Sequence, residues 1–88
     1  MSTANQTPVL KDQIREFIME NLAHAKGITS FGDDENLMES GVVDSLGIFR
    51  IVSFLEEEMR VRVSDEEINA ETLQSVNSIE QLVLRKRK

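Results

Sequence analysis

The feature that most constrains the fold of this 88-residue chain is the spacing of its apolar residues. In the first segment each of Leu10, Ile14, Phe17, Ile18 and Leu22 lies three or four residues from another member of the set, with charged residues among them. That spacing places the apolar side chains on one side of a helix. Two later segments repeat the pattern, so the sequence predicts an all-α fold.

The second and third segments carry apolar stripes of similar length. The second stripe is Phe49, Val52, Leu55 and Met59, widened by Ile51, and the third is Val76, Ile79, Leu82 and Val83. We therefore predict that Phe49 belongs to the core. Strand-like and helix-like segments do not alternate along the chain. Helices packed on helices are therefore the expected architecture.

Capping residues predict where the helices begin and end. Thr7-Pro8 suits the start of the first helix, and Gly27 is placed to end it. Ser64, followed three residues later by Glu67, fits a capping box at the start of a short helix, and Ser75 caps the last one. The predicted fold is a small, irregular four-helix bundle with three longer helices, one short helix and a long loop between helices 1 and 2.

The long loop comprises residues 27–44 and shows no regular period. We expect it to be ordered, because five apolar side chains are available to pin it to the core: Ile28, Phe31, Leu37, Met38 and Val42. The predicted organisation is a disordered N-terminus at 1–6, a single domain at 7–85 and a basic tail at 86–88, since a chain this short forms one modest core.

Charge is distributed unevenly along the chain, which carries a net charge of -6. Residues 33–71 hold twelve acids and three arginines. Phosphates would be repelled by this middle region, so nucleic acid is disfavoured and a basic protein partner is favoured. The chain has no cysteine, its N-terminus does not resemble a secretory signal, and no apolar run is long enough to span a membrane. A cytoplasmic monomer is expected.

One short stretch, Gly-Val-Val-Asp-Ser-Leu-Gly-Ile-Phe, places Ser45 at a predicted helix start. Ser45 is not expected to be a catalytic nucleophile, because His24 is the only histidine and Val43 stands where a nucleophile elbow requires glycine. The acids at 33–35 lack the ligand spacing of a calcium loop. No catalytic residue and no metal site are predicted.

Two interpretations of Ser45 remain open at this point. Asp44 and Ser45 are both good helix caps, and one of them suffices. If Asp44 caps, the Ser45 hydroxyl points outward on the first turn, where free N–H groups and the helix dipole favour an attached phosphate. The residues alone do not identify a cofactor.

The segment GVVDSLGIFRIVSFLEEEMRVRVSDEEI resembles the acyl carrier protein family, and the resemblance extends from about Val9 to Leu84. It implies that Ser45 carries 4'-phosphopantetheine, installed from coenzyme A by a phosphopantetheinyl transferase using Mg²⁺. It implies that the arm's thiol holds acyl or aminoacyl groups as thioesters. The chain would be a non-catalytic carrier in fatty-acid, polyketide or related biosynthesis. The alternative is an unmodified helical module that binds a basic partner through its acidic second helix.

The resemblance also implies roles for neighbouring residues. Asp44 would cap the helix and mark Ser45 for the transferase, and Leu46 would lie beside the arm. Glu56 and Glu57 would meet basic patches on the loading and processing enzymes.

The chain departs from the fatty-acid carriers on the same helix. Gly47 and Arg50 stand where those carriers usually have acids, and Ile48 is expected to be an exposed apolar contact. A reversed charge at Arg50 would repel generic partners, which favours a specialised, free-standing carrier.

Overall fold

The computed structural model describes residues 9–69 and 71–86 and is all-α within them. The three α-helices are α1 at Leu10–Ile18, α2 at Ser45–Glu58 and α3 at Val76–Lys86, and these residues include no strand. The predicted Thr7-Pro8 helix start, the N-terminus at 1–6 and the last two residues of the basic tail lie outside the described residues.

The first helical segment continues past α1 through two shorter turns. A wide π-helical turn at Met19–Ala23 is followed by a 3-10 turn at His24–Lys26. Gly27 then adopts the left-handed conformation with φ of 76°, which glycine tolerates without steric cost. Its N–H donates to the His24 carbonyl, and the next N–H, of Ile28, donates to the Ala23 carbonyl, so the segment closes with a Schellman motif. The prediction that Gly27 ends this helix is confirmed.

Helix α2 buries Ile51, Val52, Leu55 and Met59 of the predicted stripe, but not Phe49. Ile48 is 9% exposed and Phe49 is 59% exposed, so the predictions that Phe49 is buried and that Ile48 is an exposed contact are both wrong. The buried face consists of Gly47, Ile48, Ile51, Val52 and Leu55. The sequence permits either stripe, because Ile48 and Phe49 both stand three or four residues from Val52.

Residues 27–44 connect the first helical segment to α2 through turns and contain no helix. Phe31, Leu37 and Val42 are buried as predicted, whereas Met38 is 37% exposed and does not anchor the segment. Backbone bonds hold it as well, because the Leu37 N–H donates to the Gln74 carbonyl at 2.7 Å. The segment is therefore tied to the residues just before α3.

The predicted short third helix is a single 3-10 turn at Asp65–Glu67, which we call the Ser64 turn after its capping residue. None of its three residues is buried, which explains why it does not extend into an α-helix. Before α3, the Ser75 hydroxyl accepts a bond from the Ser78 N–H at 3.1 Å, so the predicted Ser75 cap is confirmed.

The core is aliphatic and lies between the three helices and the connecting segments. Its fully buried larger side chains come from the three helices and the connecting segments: Ile14, Ile18, Leu37, Val42, Val43, Ile51, Leu55, Leu73, Val76, Ile79, Leu82 and Val83. The predicted third stripe is buried in full. Within the two described ranges, no helix has the length and apolar character needed to cross a membrane.

Candidate functional site

The start of α2 brings together the residues that the sequence singles out. Asp44 is the N-cap, with extended backbone, and its Oδ1 accepts a bond from the Gly47 N–H at 2.8 Å. The prediction that Asp44 caps the helix is thus confirmed. Ser45 is the first helical residue and is exposed. Since Asp44 satisfies the cap, the Ser45 side chain has no structural task in this turn.

The Ser45 hydroxyl has no hydrogen-bond partner among residues 9–69 and 71–86. The other six serines among these residues differ from Ser45 in one of two respects. The hydroxyls of Ser40, Ser64, Ser75 and Ser78 are hydrogen-bonded. Ser30 and Ser53 are exposed but lie in the connecting segment and in the interior of α2. Among the described residues, only Ser45 combines an exposed, unbonded hydroxyl with a helix start.

Gly47 sets how closely this turn approaches the core. It is buried, and a Cβ added to it would lie 3.1 Å from Val43 Cγ1 and 3.5 Å from Leu22 Cδ2. A larger residue would push the turn outward, because real Cβ contacts are rarely so short and Val43 is itself fully packed. Gly47 thus faces inward, and the comparison with acids on a docking face does not apply to it.

Lys26, at the end of the first helical segment, contacts the chain just before Ser45. Its Nζ donates to the carbonyls of Gly41 and Val42 at 3.2 and 3.3 Å, and lies 3.5 Å from Asp44 Oδ2. The bond from the Gly47 N–H lowers the pKa of Asp44, and the nearby Lys26 charge lowers it further. Asp44 is therefore a carboxylate at neutral pH.

A shallow groove of about 210 Å³ opens beside Ser45. It is lined by Met38, Ile48, Phe49, Ile68 and Asn69 in addition to Ser45. Four of these side chains are apolar, so the groove offers a mainly apolar surface next to the hydroxyl. Ile68 and Asn69 follow the Ser64 turn, and no local sequence signal indicates that they come near α2.

The remaining predicted residues lie along α2 but are not equivalent. Leu46 is 71% exposed. The Glu56 carboxylate accepts a bond from the Val63 N–H at 3.2 Å, whereas the exposed Glu57 has no polar partner among the described residues. Arg50 is exposed and donates to the Asn21 carbonyl at 3.3 Å. Ile48 is 9% exposed and lines the groove beside Ser45.

Local sequence patterns do not indicate Lys26, because its contacts join residues 15 to 18 positions apart across the connecting segment. His24 is exposed, and no hydrogen bond joins it to Ser45 within the described ranges.

The model of a protein family described as "Phosphopantetheine attachment site" matches residues 12–83, which is most of the chain. The match includes α2, the Ser64 turn and all but the last three residues of α3. No curated protein matches the chain.

Proposed function

Because the chain belongs to the phosphopantetheine attachment site family of carrier proteins, we propose that Ser45 is its attachment serine and that it carries acyl or aminoacyl groups. The cofactor of this family is 4'-phosphopantetheine, joined covalently to a serine. Carrier domains of this kind are generally not catalysts, and they meet a phosphopantetheinyl transferase and biosynthetic enzymes.

One observation carries the assignment to Ser45: its hydroxyl is exposed and unbonded on the first turn of α2, while Asp44 caps the helix. A phosphodiester at this position would face solvent and lie near the free N–H groups of the first turn, which favour negative charge. The apolar groove beside Ser45 adds a surface on which part of the arm or its cargo can rest. The residues present therefore fit the group.

The attachment step needs little from the chain beyond presentation of the hydroxyl. The Ser45 oxygen forms a bond to the phosphorus of the phosphopantetheinyl group of coenzyme A, and the bond from that phosphorus to the nucleotide breaks. The serine proton passes to the transferase. Once bound, the arm supplies the thiol that this cysteine-free chain lacks, and that thiol holds the cargo as a thioester.

The partner surface is proposed to lie along the outer side of α2. Leu46 and Phe49 are exposed apolar side chains close to Ser45, and Glu57 is a charge with no partner among the described residues. Such rim charges raise the association rate of a basic partner more than they lengthen the lifetime of the complex. Glu56 also accepts a hydrogen bond from the Val63 N–H, so a substitution of Glu56 would disturb the fold as well as docking. Glu57 is therefore the better residue for testing the docking surface.

We propose fatty-acid, polyketide or related biosynthesis as the pathway class, and Arg50 as a charge that sets this chain apart from generic fatty-acid carriers. The protein is proposed to be a non-catalytic, cytoplasmic monomer. In this proposal the Ser64 turn stands for the short helix of a four-helix carrier fold, and residues 27–44 form its long loop.

The test is modification by a broad phosphopantetheinyl transferase with coenzyme A, followed by intact-mass measurement. Wild type and Ser53→Ala should each gain one phosphopantetheine mass, and Ser45→Ala should gain none. Ser53 is the matched control because it is also an exposed serine of α2.

Two outcomes would point elsewhere. Modification that persists in Ser45→Ala would move the attachment to another serine. A wild type that stays unmodified by an active transferase, yet binds a basic partner through Glu57, would favour the unmodified interaction module.

A further inference from the structure

We propose that Lys26 is a positioning residue for the loading of Ser45, holding the last turn of the connecting segment and the Asp44 cap in the arrangement that the transferase binds. The inference rests on the proposed function of Ser45. It assigns a task to a residue of the first helical segment that the family resemblance does not single out.

The geometry of the Lys26 ammonium matches its surroundings. An ammonium has three N–H donors and no acceptor, and here three oxygens lie 3.2–3.5 Å from Nζ: the carbonyls of Gly41 and Val42, and Asp44 Oδ2. Two of the three are main-chain atoms. Lys26 therefore restrains the path of the backbone as well as a side chain.

The restrained segment is the one that needs support. Gly41 has φ of 85°, a left-handed conformation, and it begins the approach to α2. Val42 and Val43 are each 1% exposed, so the approach is held from the core side by packing. On the solvent side, the only side-chain bonds to the Gly41 and Val42 carbonyls, within the two described ranges, come from Lys26.

The contact with Asp44 has a second consequence. Asp44 uses Oδ1 for the Gly47 N–H and Oδ2 for Lys26, so two different groups fix the orientation of its carboxylate. A carboxylate without the second contact is freer to turn toward the neighbouring Ser45 hydroxyl. Lys26 thus favours the state in which Asp44 caps the helix and the serine hydroxyl remains available.

The end of the first helical segment places Lys26 for this task. Lys26 is the last residue of the 3-10 turn, and the left-handed Gly27 stops the helix immediately after it. The free carbonyls at a helix end favour a cation there. The backbone position of Lys26 is therefore set by a well-defined helix terminus.

The test compares three variants: Lys26→Met, which keeps the stem and removes the donors, Lys26→Arg, which keeps charge and donors, and Lys11→Met as control. Lys11 matches Lys26 in side-chain exposure, 33% against 34%, and it also lies near carboxylates, Asp33 and Glu80, which belong to a different part of the fold. Full-length protein is loaded by the transferase with coenzyme A, and KM and kcat are measured separately. Amide exchange at Gly47, whose N–H donates to Asp44 Oδ1, and the thermal midpoint are recorded for each variant.

We expect Lys26→Met to raise the KM for the carrier about fivefold with kcat changed less than about twofold, because a smaller population of the binding-competent arrangement weakens apparent affinity. Exchange at Gly47 should quicken. Lys26→Arg should restore KM to within about twofold of wild type, and Lys11→Met should leave it unchanged. A general loss of stability would not produce this pattern, and it would show as a lower thermal midpoint.

The proposal is overturned if Lys26→Met has the KM and amide exchange of wild type, or if Lys11→Met raises KM as much. Either result leaves the function of Ser45 intact as long as wild type is loaded. A wild type that is not loaded at all would instead contradict the proposed function.

Discussion

Two turns of this molecule pair an aspartate with a serine in opposite orders, and the order decides what each serine can do. At the start of α2, Asp44 precedes Ser45; in the Ser64 turn, Ser64 precedes Asp65. Both serines are exposed. The first residue of each pair holds the capping position, so the hydroxyl is free at Ser45 and engaged at Ser64.

The bonds of the Ser64 turn show how a capping serine is occupied. Glu67 Oε1 accepts bonds from the Ser64 N–H at 2.9 Å and from its hydroxyl at 3.0 Å, and the Lys86 ammonium lies 2.7 Å from the same oxygen. The hydrogen bond from Lys86, with those from Ser64, lowers the pKa of Glu67 to about 2. Exposure alone therefore does not make a serine available for modification.

The two turns also differ in what supports them. The start of α2 rests on the core through Gly47 and Ile48, whereas the Ser64 turn contains no buried residue and depends on polar contacts. Packing holds a segment in place with little dependence on pH or salt. Exposed ion pairs weaken when salt is added and when a change in pH neutralises one partner. Of the two turns, the proposed attachment site is the one that rests on packing.

The largest effect is expected from exchanging the order of the first pair. In the double variant Asp44→Ser with Ser45→Asp, the new serine takes the capping position and its oxygen accepts the Gly47 N–H. We expect phosphopantetheine addition to be lost completely while helical content is retained, as measured by intact mass and circular dichroism.

The matched control exchanges the second pair, Ser64→Asp with Asp65→Ser, and should load fully. Loading of the 44–45 exchange variant at the wild-type rate would show that the order of the pair is irrelevant.

The next largest effect concerns the packed support of α2. Ile48→Ala should lower the free energy of unfolding by about 2–4 kcal/mol, because it removes buried methyl and methylene groups, and Phe49→Ala by less than about 1 kcal/mol, because its ring is 59% exposed. Urea unfolding of the two variants measures the difference. Equal costs would mean that α2 presents a different face to the core from the one described here.

The smallest effect is in acid. The folded-state pKa of Glu67 is about 2 against an ordinary 4.5, so its stabilising contribution is present in full above about pH 4.5 and is lost as the pH falls toward 2. We expect Glu67→Gln to flatten the fall in stability over that range. Asp44→Asn should also flatten it, because the pKa of Asp44 is lowered too.

The measurement is the urea midpoint at a series of pH values, with Glu66→Gln as control, since Glu66 is an exposed acid of the same turn whose side chain makes no hydrogen bond or ion pair within the described ranges. A fall in stability that is the same in Glu67→Gln as in wild type would contradict the part given to Glu67 in holding the Ser64 turn.

Much of the fold could be predicted from local sequence, because its signals act over three or four residues. The stripe of α3, the Gly27 helix end, the Ser75 cap and the Asp44 cap all depend on near neighbours. The outward position of Ser45 also followed from the choice of Asp44 as cap. Its modification stays a prediction.

The errors arise where the outcome depends on distant contacts. Ile48 and Phe49 fit the helical period equally well, and the choice between them depends on how α2 packs against residues elsewhere in the chain, such as Leu22 beside Gly47. The Lys26 contacts and the stacking of the Phe17 and Phe54 rings, 4.2 Å apart, join residues far apart in the chain. No periodicity reports such pairs.

The wide turn at Met19–Ala23 bears on how the first helical segment tolerates changes in length. A π-helical turn accommodates one residue more than an α-helical turn over nearly the same rise, and each residue rotates the helix by about 100°. A one-residue deletion inside that turn can tighten it to α-helical geometry and leave the azimuth of Lys26 unchanged. The same deletion within Leu10–Ile18 would rotate one part of the helical segment relative to the other, so that either the Ile14 face would leave the core or Lys26 would point away from its partners.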